Sequence, residues 1–368
     1  MVMIKKKKII SVVGARPNFM KVAPISRELE KYSDRFQHLI VHTGQHYDEN
    51  MSKIFFEDLA IPMPDINLGV GPGNHGEQTG KIMIEFEKIC LAEKPDLVLV
   101  YGDVNSTIAA ALVSVKLGIR VAHVEAGLRS FDRSMPEEIN RVLTDSISDY
   151  LFTPSPDGDE NLLKEGVSKE KIYMVGDIMV DSLLFNKGKA AKLDVLSSFG
   201  LSAEKYAVLT LHRPSNVDNE ENIKNIFAAL EIVSEKIPII FPIHPRTKKM
   251  MQKFNINQMK GLKLISPLGY LEFLNLMMNC SFMLTDSGGI QEETTVLDIP
   301  CLTLRNTTER PITLSHGTNM LVSNNTDKII KEAKKILDGG GKKGNNPDLW
   351  DGQTARRIIN ILLNLSDK

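Results

Sequence analysis

Short runs of β-branched and apolar residues alternate with helical patterns along almost the whole of this chain, and that alternation restricts the fold to parallel sheets built from β-α units. The runs Ile9–Val13, His38–His42, Leu97–Tyr101, Val121–Val124, Tyr150–Thr153 and Lys171–Val175 read as buried strands. From Asp181 to Lys205 the pattern turns helical and then loose, after which the alternation restarts with Ala207–Leu211, Ile239–Ile243, Leu262–Ile265, Phe282–Thr285 and Cys301–Leu304. With 368 residues, too many for one comfortable core, the expected organisation is α/β, with two doubly wound Rossmann-like domains over 1–180 and 181–353. The C-terminal helix over 354–368, with Ile358, Ile359, Ile361, Leu362, Leu363 and Leu365, suits packing on either half, the N-terminal domain included.

In open α/β sheets ligands collect beyond the carboxyl ends of the strands, so polar residues there carry extra weight. Arg16, Asp103, Glu125, His212, His244 and Asp286-Ser287 all stand at such tips. With tips from both halves polar, the site is expected in a cleft between the domains. The stretch from Leu284 to Thr294 reads as a strand that opens through Ser287, Gly288 and Gly289 into a helix. Unpaired N–H groups and the positive end of the helix dipole suit a diphosphate there. One turn on, Glu293 offers two acceptor oxygens for a pair of vicinal ribose hydroxyls. A second strand-to-helix turn, Gly14-Ala-Arg-Pro-Asn-Phe-Met-Lys21, brings Arg16 and Lys21 as further cations for the diphosphate. The string Gly71-Pro-Gly-Asn-His-Gly76 also matches G-x-G-x-x-G, but no convincing buried strand precedes it and a proline intrudes. A nicotinamide cofactor is therefore not expected.

A formal net charge of −1 supplies no basic field, which argues against nucleic acid as a partner. Cys90, Cys280 and Cys301 lack metal-ligand spacing and lie in apolar surroundings, as buried thiols in a reducing, cytoplasmic compartment would. The run Ile9–Val13 is too short for a signal-peptide core, and no run of about 18 apolar residues is present to cross a membrane.

The motifs Gly14-Ala-Arg-Pro, Thr43-Gly-Gln-His46, Tyr101-Gly-Asp-Val-Asn-Ser-Thr107, His123-Val-Glu-Ala-Gly-Leu-Arg129, Met135-Pro-Glu-Glu-Ile-Asn-Arg141, Leu211-His-Arg213, His244-Pro245, Thr285-Asp-Ser-Gly-Gly-Ile-Gln-Glu-Glu293 and Thr307-Thr-Glu-Arg-Pro311 run in order from residue 9 to about residue 320. Together they resemble the non-hydrolysing UDP-N-acetylglucosamine 2-epimerases. The resemblance implies the glycosyltransferase-B type fold and interconversion of UDP-N-acetylglucosamine and UDP-N-acetylmannosamine, with neither metal nor cofactor, in a homodimer. It further implies nucleotide-sugar contacts at Arg16, Lys21, His212, Phe273, Ser287, Gly288, Gly289, Glu293 and Arg310. Asp103, Glu125, Glu137 and His212 match the family's proposed catalytic groups, and its intermediate is a 2-acetamidoglucal held beside UDP.

These residue types suit that chemistry. The C2 proton of the sugar has no neighbouring carbonyl to acidify it, so UDP must leave with oxocarbenium character at C1 before the proton becomes removable. The leaving diphosphate calls for charge stabilisation, available from Arg16, His212 and the Ser287–Gly289 amides. Inversion then calls for two separated acid/base groups, and Asp103, Glu125 and Glu137 provide three carboxylates. Pro136-Glu-Glu138 equally fits an ordinary first helical turn.

Two departures from the family pattern stand out. His212-Arg-Pro-Ser-Asn replaces the His-Arg-Arg-Glu-Asn form, which leaves a diacetamido uronic acid UDP-sugar as an alternative substrate. The loop Leu68 to Gly80 lacks the arginine of an allosteric substrate site that Gln45 and His46 otherwise match in part. A retaining glycosyltransferase would share the nucleotide cradle but not need the carboxylates, and a hydrolysing 2-epimerase stays open on motif spacing.

Overall fold

The computed structural model describes residues 6–44, 63–256 and 259–365 and divides into two units. Unit 1 takes in residues 1–185 and 348–368, and unit 2 residues 186–347. Gln45 and His46 lie outside the described residues.

Unit 1 holds a seven-stranded sheet in the order β3-β2-β1-β4-β5-β6-β7, with every pair parallel. Its strands are β1 (Lys7–Val13), β2 (Phe36–His42), β3 (Ile66–Asn67), β4 (Leu97–Tyr101), β5 (Arg120–Val124), β6 (Tyr150–Thr153) and β7 (Ile172–Met174). β4 is buried at all five positions, as a central parallel strand covered on both faces should be. The order reverses between the neighbours β1 and β4. Loops from those two neighbours leave on opposite sides, and the crevice this creates beyond the β1 and β4 tips is where a doubly wound sheet receives its ligand.

Unit 2 repeats the plan with six parallel strands in the order β10-β9-β8-β11-β12-β13. They are β8 (Ala207–Thr210), β9 (Ile239–Pro242), β10 (Leu262–Ile265), β11 (Phe282–Thr285), β12 (Cys301–Thr303) and β13 (Asn319–Leu321). Here the reversal falls between β8 and β11. Leu209, Phe227, Leu230, Phe241, Phe282 and Leu284 fill one side of the sheet in a continuous apolar core.

Two strands escape the sequence reading. β3 lies just ahead of the Gly71–Gly76 string, where no buried strand is expected, and β13 has no β-branched run to announce it. Both are sheet edges of two or three residues, too short to show a period of two. The segment 348–353, read with the second domain, belongs to unit 1, where Trp350 Nε1 donates to the Pro154 carbonyl at 2.9 Å. The last helix, Thr354–Asn364, packs on the helix Arg16–Glu30 of unit 1. The buried Asp181 carboxylate fixes its start by accepting the Thr354 and Ala355 amides at 3.0 and 2.8 Å. No described helix is long and apolar enough to cross a membrane.

Candidate active site

In unit 1 the site begins where β1 turns into the helix Arg16–Glu30. Gly14 permits the turn, since a Cβ there would lie 2.0 Å from Ser106 Oγ and 2.6 Å from Thr43 Oγ1. Asn18 Oδ1 accepts the Gly14 and Ala15 amides at 3.1 and 3.0 Å, and its Nδ2 donates to the Tyr101 carbonyl at 2.9 Å. The β1 and β4 tips are thereby tied together. Arg16 opens the helix, with Pro17 next to it. Lys21, expected at the diphosphate, is buried and forms an ion pair with Glu125. Gly102, in left-handed backbone with φ +61°, makes room for it: a Cβ would lie 2.7 Å from Lys21 Nζ.

Glu125 itself has φ +75°, a conformation that strains a residue with a side chain and collects at functional sites. It stands just past β5, and Asp103 two residues past β4, on strands whose last pair is Tyr101 and Val124. Adjacent parallel strands therefore deliver both carboxylates to one end of the sheet. Asp103, a third exposed, is gripped by Arg141 Nη1 at 2.5 Å, while Asn140 Nδ2 donates to its backbone carbonyl at 2.8 Å. Arg141 is in turn held by Glu138, which accepts from its Nε and Nη2 at 3.1 and 2.8 Å. Glu138 also accepts the Ser130 and Phe131 amides at 3.0 and 2.9 Å. Burial pushes the Glu138 carboxyl upward, but these donors and the Arg141 charge outweigh it and hold the group below its usual range. Glu137 is half-buried on the same helix, Pro136–Ile147, and its carboxylate makes no hydrogen bond or ion pair with the described residues.

In unit 2 the tips of β8 and β11 meet through Asp286. This fully buried carboxylate accepts the His212 and Arg213 amides at 3.0 and 2.8 Å and lies 3.0 Å from His212 Nδ1. Burial raises its pKa, yet the His212 ring and the two amides bring it below the ordinary carboxylate value. With Nδ1–H donated to Asp286, the half-exposed His212 ring keeps Nε2 for a ligand. His244 follows β9 and caps the helix Pro245–Lys253, its Nδ1 accepting the Arg246 amide at 3.2 Å. Burial, then the nearby His212 and Arg246, lower its pKa.

Ser287 is the N-cap of the helix Gly288–Leu297, so the amides of Gly288 and Gly289 fall in its first turn. Arg310 is packed against that turn: a Cβ on Gly288 would lie 2.6 Å from Arg310 Nη1 and 2.6 Å from Glu309 Oε1. Glu292 and Glu309 both pair with Arg310, and Glu309 also takes Arg305 at 2.6 Å. Against the upward push of burial, these arginines hold the Glu309 carboxyl far below its usual range. Fully buried Gln291 pins the helix to its surroundings, accepting from Thr308 Oγ1 at 2.7 Å and Asn319 Nδ2 at 2.8 Å. Glu293 receives the Tyr270 hydroxyl at 2.9 Å, and Phe273 is half-buried on the same helix as Tyr270, Tyr270–Met278.

The structure thus groups Lys21, Asp103 and Glu125 at one set of strand tips and His212, Ser287–Gly289 and Arg310 at the other. In the sequence Asp286 stands at a strand tip, and Glu138, Arg141, Gln291 and Glu309 lie inside the motifs, but their partners show only in the fold. The spacing of Glu138 and Arg141, three apart on a helix, was a usable signal. Among the described residues no group of three or more His, Cys, Asp or Glu side chains is placed to hold a metal ion.

The family model for UDP-N-acetylglucosamine 2-epimerase matches residues 27–363. A Methanocaldococcus jannaschii protein named UDP-N-acetylglucosamine 2-epimerase is 51% identical over 368 residues, covering 96% of this chain and 98% of that protein. The fold superposes with a TM-score of 0.90 on a crystal structure of the M. jannaschii UDP-GlcNAc 2-epimerase in complex with UDP-GlcNAc and UDP, at 50% identity over 97% of this chain and 99% of that one. A Pseudomonas aeruginosa protein named UDP-2,3-diacetamido-2,3-dideoxy-D-glucuronate 2-epimerase is 42% identical, with 97% of this chain and 100% of that protein covered.

Proposed function

The chain belongs to the UDP-N-acetylglucosamine 2-epimerase family, and from that premise we propose that it interconverts UDP-N-acetylglucosamine and UDP-N-acetylmannosamine by elimination and re-addition of UDP. The observation that carries this reading is the delivery of Asp103 and Glu125 from adjacent strands, each already matched to a buried cation, Arg141 or Lys21. Paired carboxylates of this kind suit a reaction that takes a proton from one face of a carbon and returns one to the other.

In the forward direction the C1–O bond breaks and its electron pair leaves with UDP. One carboxylate takes the C2 proton, which forms the C1–C2 double bond of 2-acetamidoglucal. For re-addition a diphosphate oxygen attacks C1 while the second carboxyl group protonates C2 from the opposite face. Unit 2 supports the leaving group with the Ser287–Gly289 amides, Arg310 and the His212 ring that Asp286 orients. Arg16 adds a further cation at the start of its helix, Glu293 takes the ribose hydroxyls and Phe273 lines the nucleoside. Unit 1 supplies the acid/base groups from Asp103, Glu125 and Glu137. A cytoplasmic homodimer completes the proposal, and three buried free thiols, Cys90, Cys280 and Cys301, suit a reducing compartment.

Incubation with UDP-N-acetylglucosamine in deuterated water tests the assignment. The expected product is UDP-N-acetylmannosamine carrying deuterium at C2. Free N-acetylmannosamine would identify a hydrolase, and absence of turnover a transferase or a binding protein. The Pseudomonas relative gives one specific second reading, the diacetamido uronic acid sugar. Parallel assays with both UDP-sugars decide between them through the ratio of kcat/KM.

A further inference from the structure

Behind the strand tips of unit 1 lies a charged pair that the mechanism above does not use. His123, on β5, and Asp145, on the helix Pro136–Ile147, are both fully enclosed. His123 Nδ1 lies 2.6 Å from Asp145 Oδ1, and Nε2 lies 2.8 Å from the Gly102 carbonyl oxygen. Both neighbours are acceptors, so the ring satisfies them only with a proton on each nitrogen, as imidazolium. The other Asp145 oxygen accepts the Gly127 amide at 3.0 Å and pairs with Arg129 at 2.7 Å. Arg129 extends the network to Glu165 at 2.8 and 2.7 Å.

The groups this pair grips are informative. Gly102 is the residue before Asp103, and Gly127 lies two residues after Glu125. Gly102, Glu125 and Gly127 all have left-handed backbone, with φ of +61°, +75° and +80°. Glycine takes this conformation freely, whereas Glu125 keeps it only where its surroundings over-determine the turn. One end of the dyad fixes the turn that carries Asp103, and the other fixes the turn that carries Glu125. A buried ion pair is a weak way to stabilise a core, because apolar residues of equal volume often do as well. It is a good way to hold two backbone groups in one geometry.

We propose that His123 and Asp145 form a positioning dyad that sets the spacing between Asp103 and Glu125 by holding the Gly102 carbonyl and the Gly127 amide. Neither residue touches substrate in this scheme. The inference rests on the proposed roles of Asp103 and Glu125, and it places the decisive contact at Gly102.

Two substitutions dissect the ring. In His123→Asn the amide nitrogen stands in for Nδ1, so Asp145 keeps its donor and Gly102 loses its own. In His123→Gln the amide nitrogen reaches where Nε2 was, so Gly102 keeps its donor. Both remove the same buried charge and the same aromatic ring, so loss of folding stability alone would affect them similarly. The expected result is a kcat at least tenfold lower for His123→Asn, with UDP affinity by calorimetry unchanged, and recovery of most of that loss in His123→Gln. Wild-type kcat in a folded His123→Asn protein, equal loss in both variants, or parallel loss of kcat and UDP affinity overturns the dyad. Asp103→Asn is measured beside them: if it turns over normally, the carboxylate assignment itself has failed, whatever the His123 variants do. Should neither variant fold, spectra of wild-type protein labelled with nitrogen-15 at histidine still decide the point. One ring protonated at both nitrogens at neutral pH is required, and a neutral tautomer at His123 overturns the proposal.

Discussion

Gly288→Ala isolates the packing on which the proposed diphosphate cradle depends. In an ordinary helix Gly→Ala stabilises by about 1 kcal/mol, because the unfolded chain loses freedom. At Gly288 the new Cβ would stand 2.6 Å from Arg310 Nη1, 2.6 Å from Glu309 Oε1 and 3.0 Å from Arg310 Cζ. Flexible side-chain ends can normally retreat. These cannot do so freely, since Arg310 is buried between Glu292 and Glu309, and Glu309 is also engaged by Arg305. Displacing one of these charged hydrogen bonds costs roughly 1.5 to 3 kcal/mol, so against the gain of about 1 kcal/mol the net change should be destabilising by about 0.5 to 2 kcal/mol. For a unit of this size that lowers Tm by roughly 1 to 8 °C. Gly80→Ala is the control, because Gly80 lies inside the helix His75–Glu93 with nothing within 4 Å of an added Cβ, and it should raise Tm slightly. The same shift of Arg310 and the first-turn amides should weaken UDP by about 10-fold or more, read by titration calorimetry. If Gly288→Ala melts higher, as Gly80→Ala does, and binds UDP normally, then the Arg310 network does not buttress the helix N-terminus and the cradle has been misplaced.

Three further outcomes follow from other parts of the site. Glu293→Gln should chiefly weaken UDP binding, whereas Asp103→Asn and Glu125→Gln should lower kcat roughly 100-fold or more and leave UDP affinity nearly unchanged; an Asp103→Asn protein with normal turnover and poor UDP binding would contradict this division. His212→Ala should lose most activity and still fold, with a lower Tm because buried Asp286 loses a donor but keeps the His212 and Arg213 amides, and full turnover in the folded variant would remove His212 from the mechanism. Asp286 has a folded pKa below its unfolded value of about 3.9, so its stabilising contribution is present above that value and disappears as pH falls through the lower folded one. Between about pH 5 and 2 the wild-type Tm should therefore fall more steeply than that of Asp286→Asn, and equal slopes would show that the carboxylate is not the linked group.

Much of this architecture could be read from the chain because central parallel strands are buried on both faces and so announce themselves as apolar runs. β4, β8 and β11 fall where those runs do. The edges β3 and β13 were illegible for the converse reason, being short and stabilised by one neighbour only. Residues at strand tips were legible because the parallel topology gives those positions meaning before any coordinate is known. Partnerships were not. Asp103 and Arg141 are 38 residues apart, and His212 and Asp286 are 74 apart, so only the folded sheet could show which cation or carboxylate each would meet. Lys21 illustrates the difference. Its position one turn into a helix suggested a phosphate ligand, and the fold adds the Glu125 carboxylate as its buried partner.

Unit 1 is assembled from both ends of the chain, while unit 2 is one uninterrupted segment from 186 to 347. During synthesis the six-stranded sheet of unit 2 can close as soon as its own residues have emerged. The sheet carrying Asp103 and Glu125 must wait for the segment 348–365, whose Trp350 and Thr354–Asn364 helix dock on Pro154, Asp181 and the first helix. Truncation just after residue 347 would therefore injure first the unit that carries Asp103 and Glu125, and leave unit 2 the better able to fold.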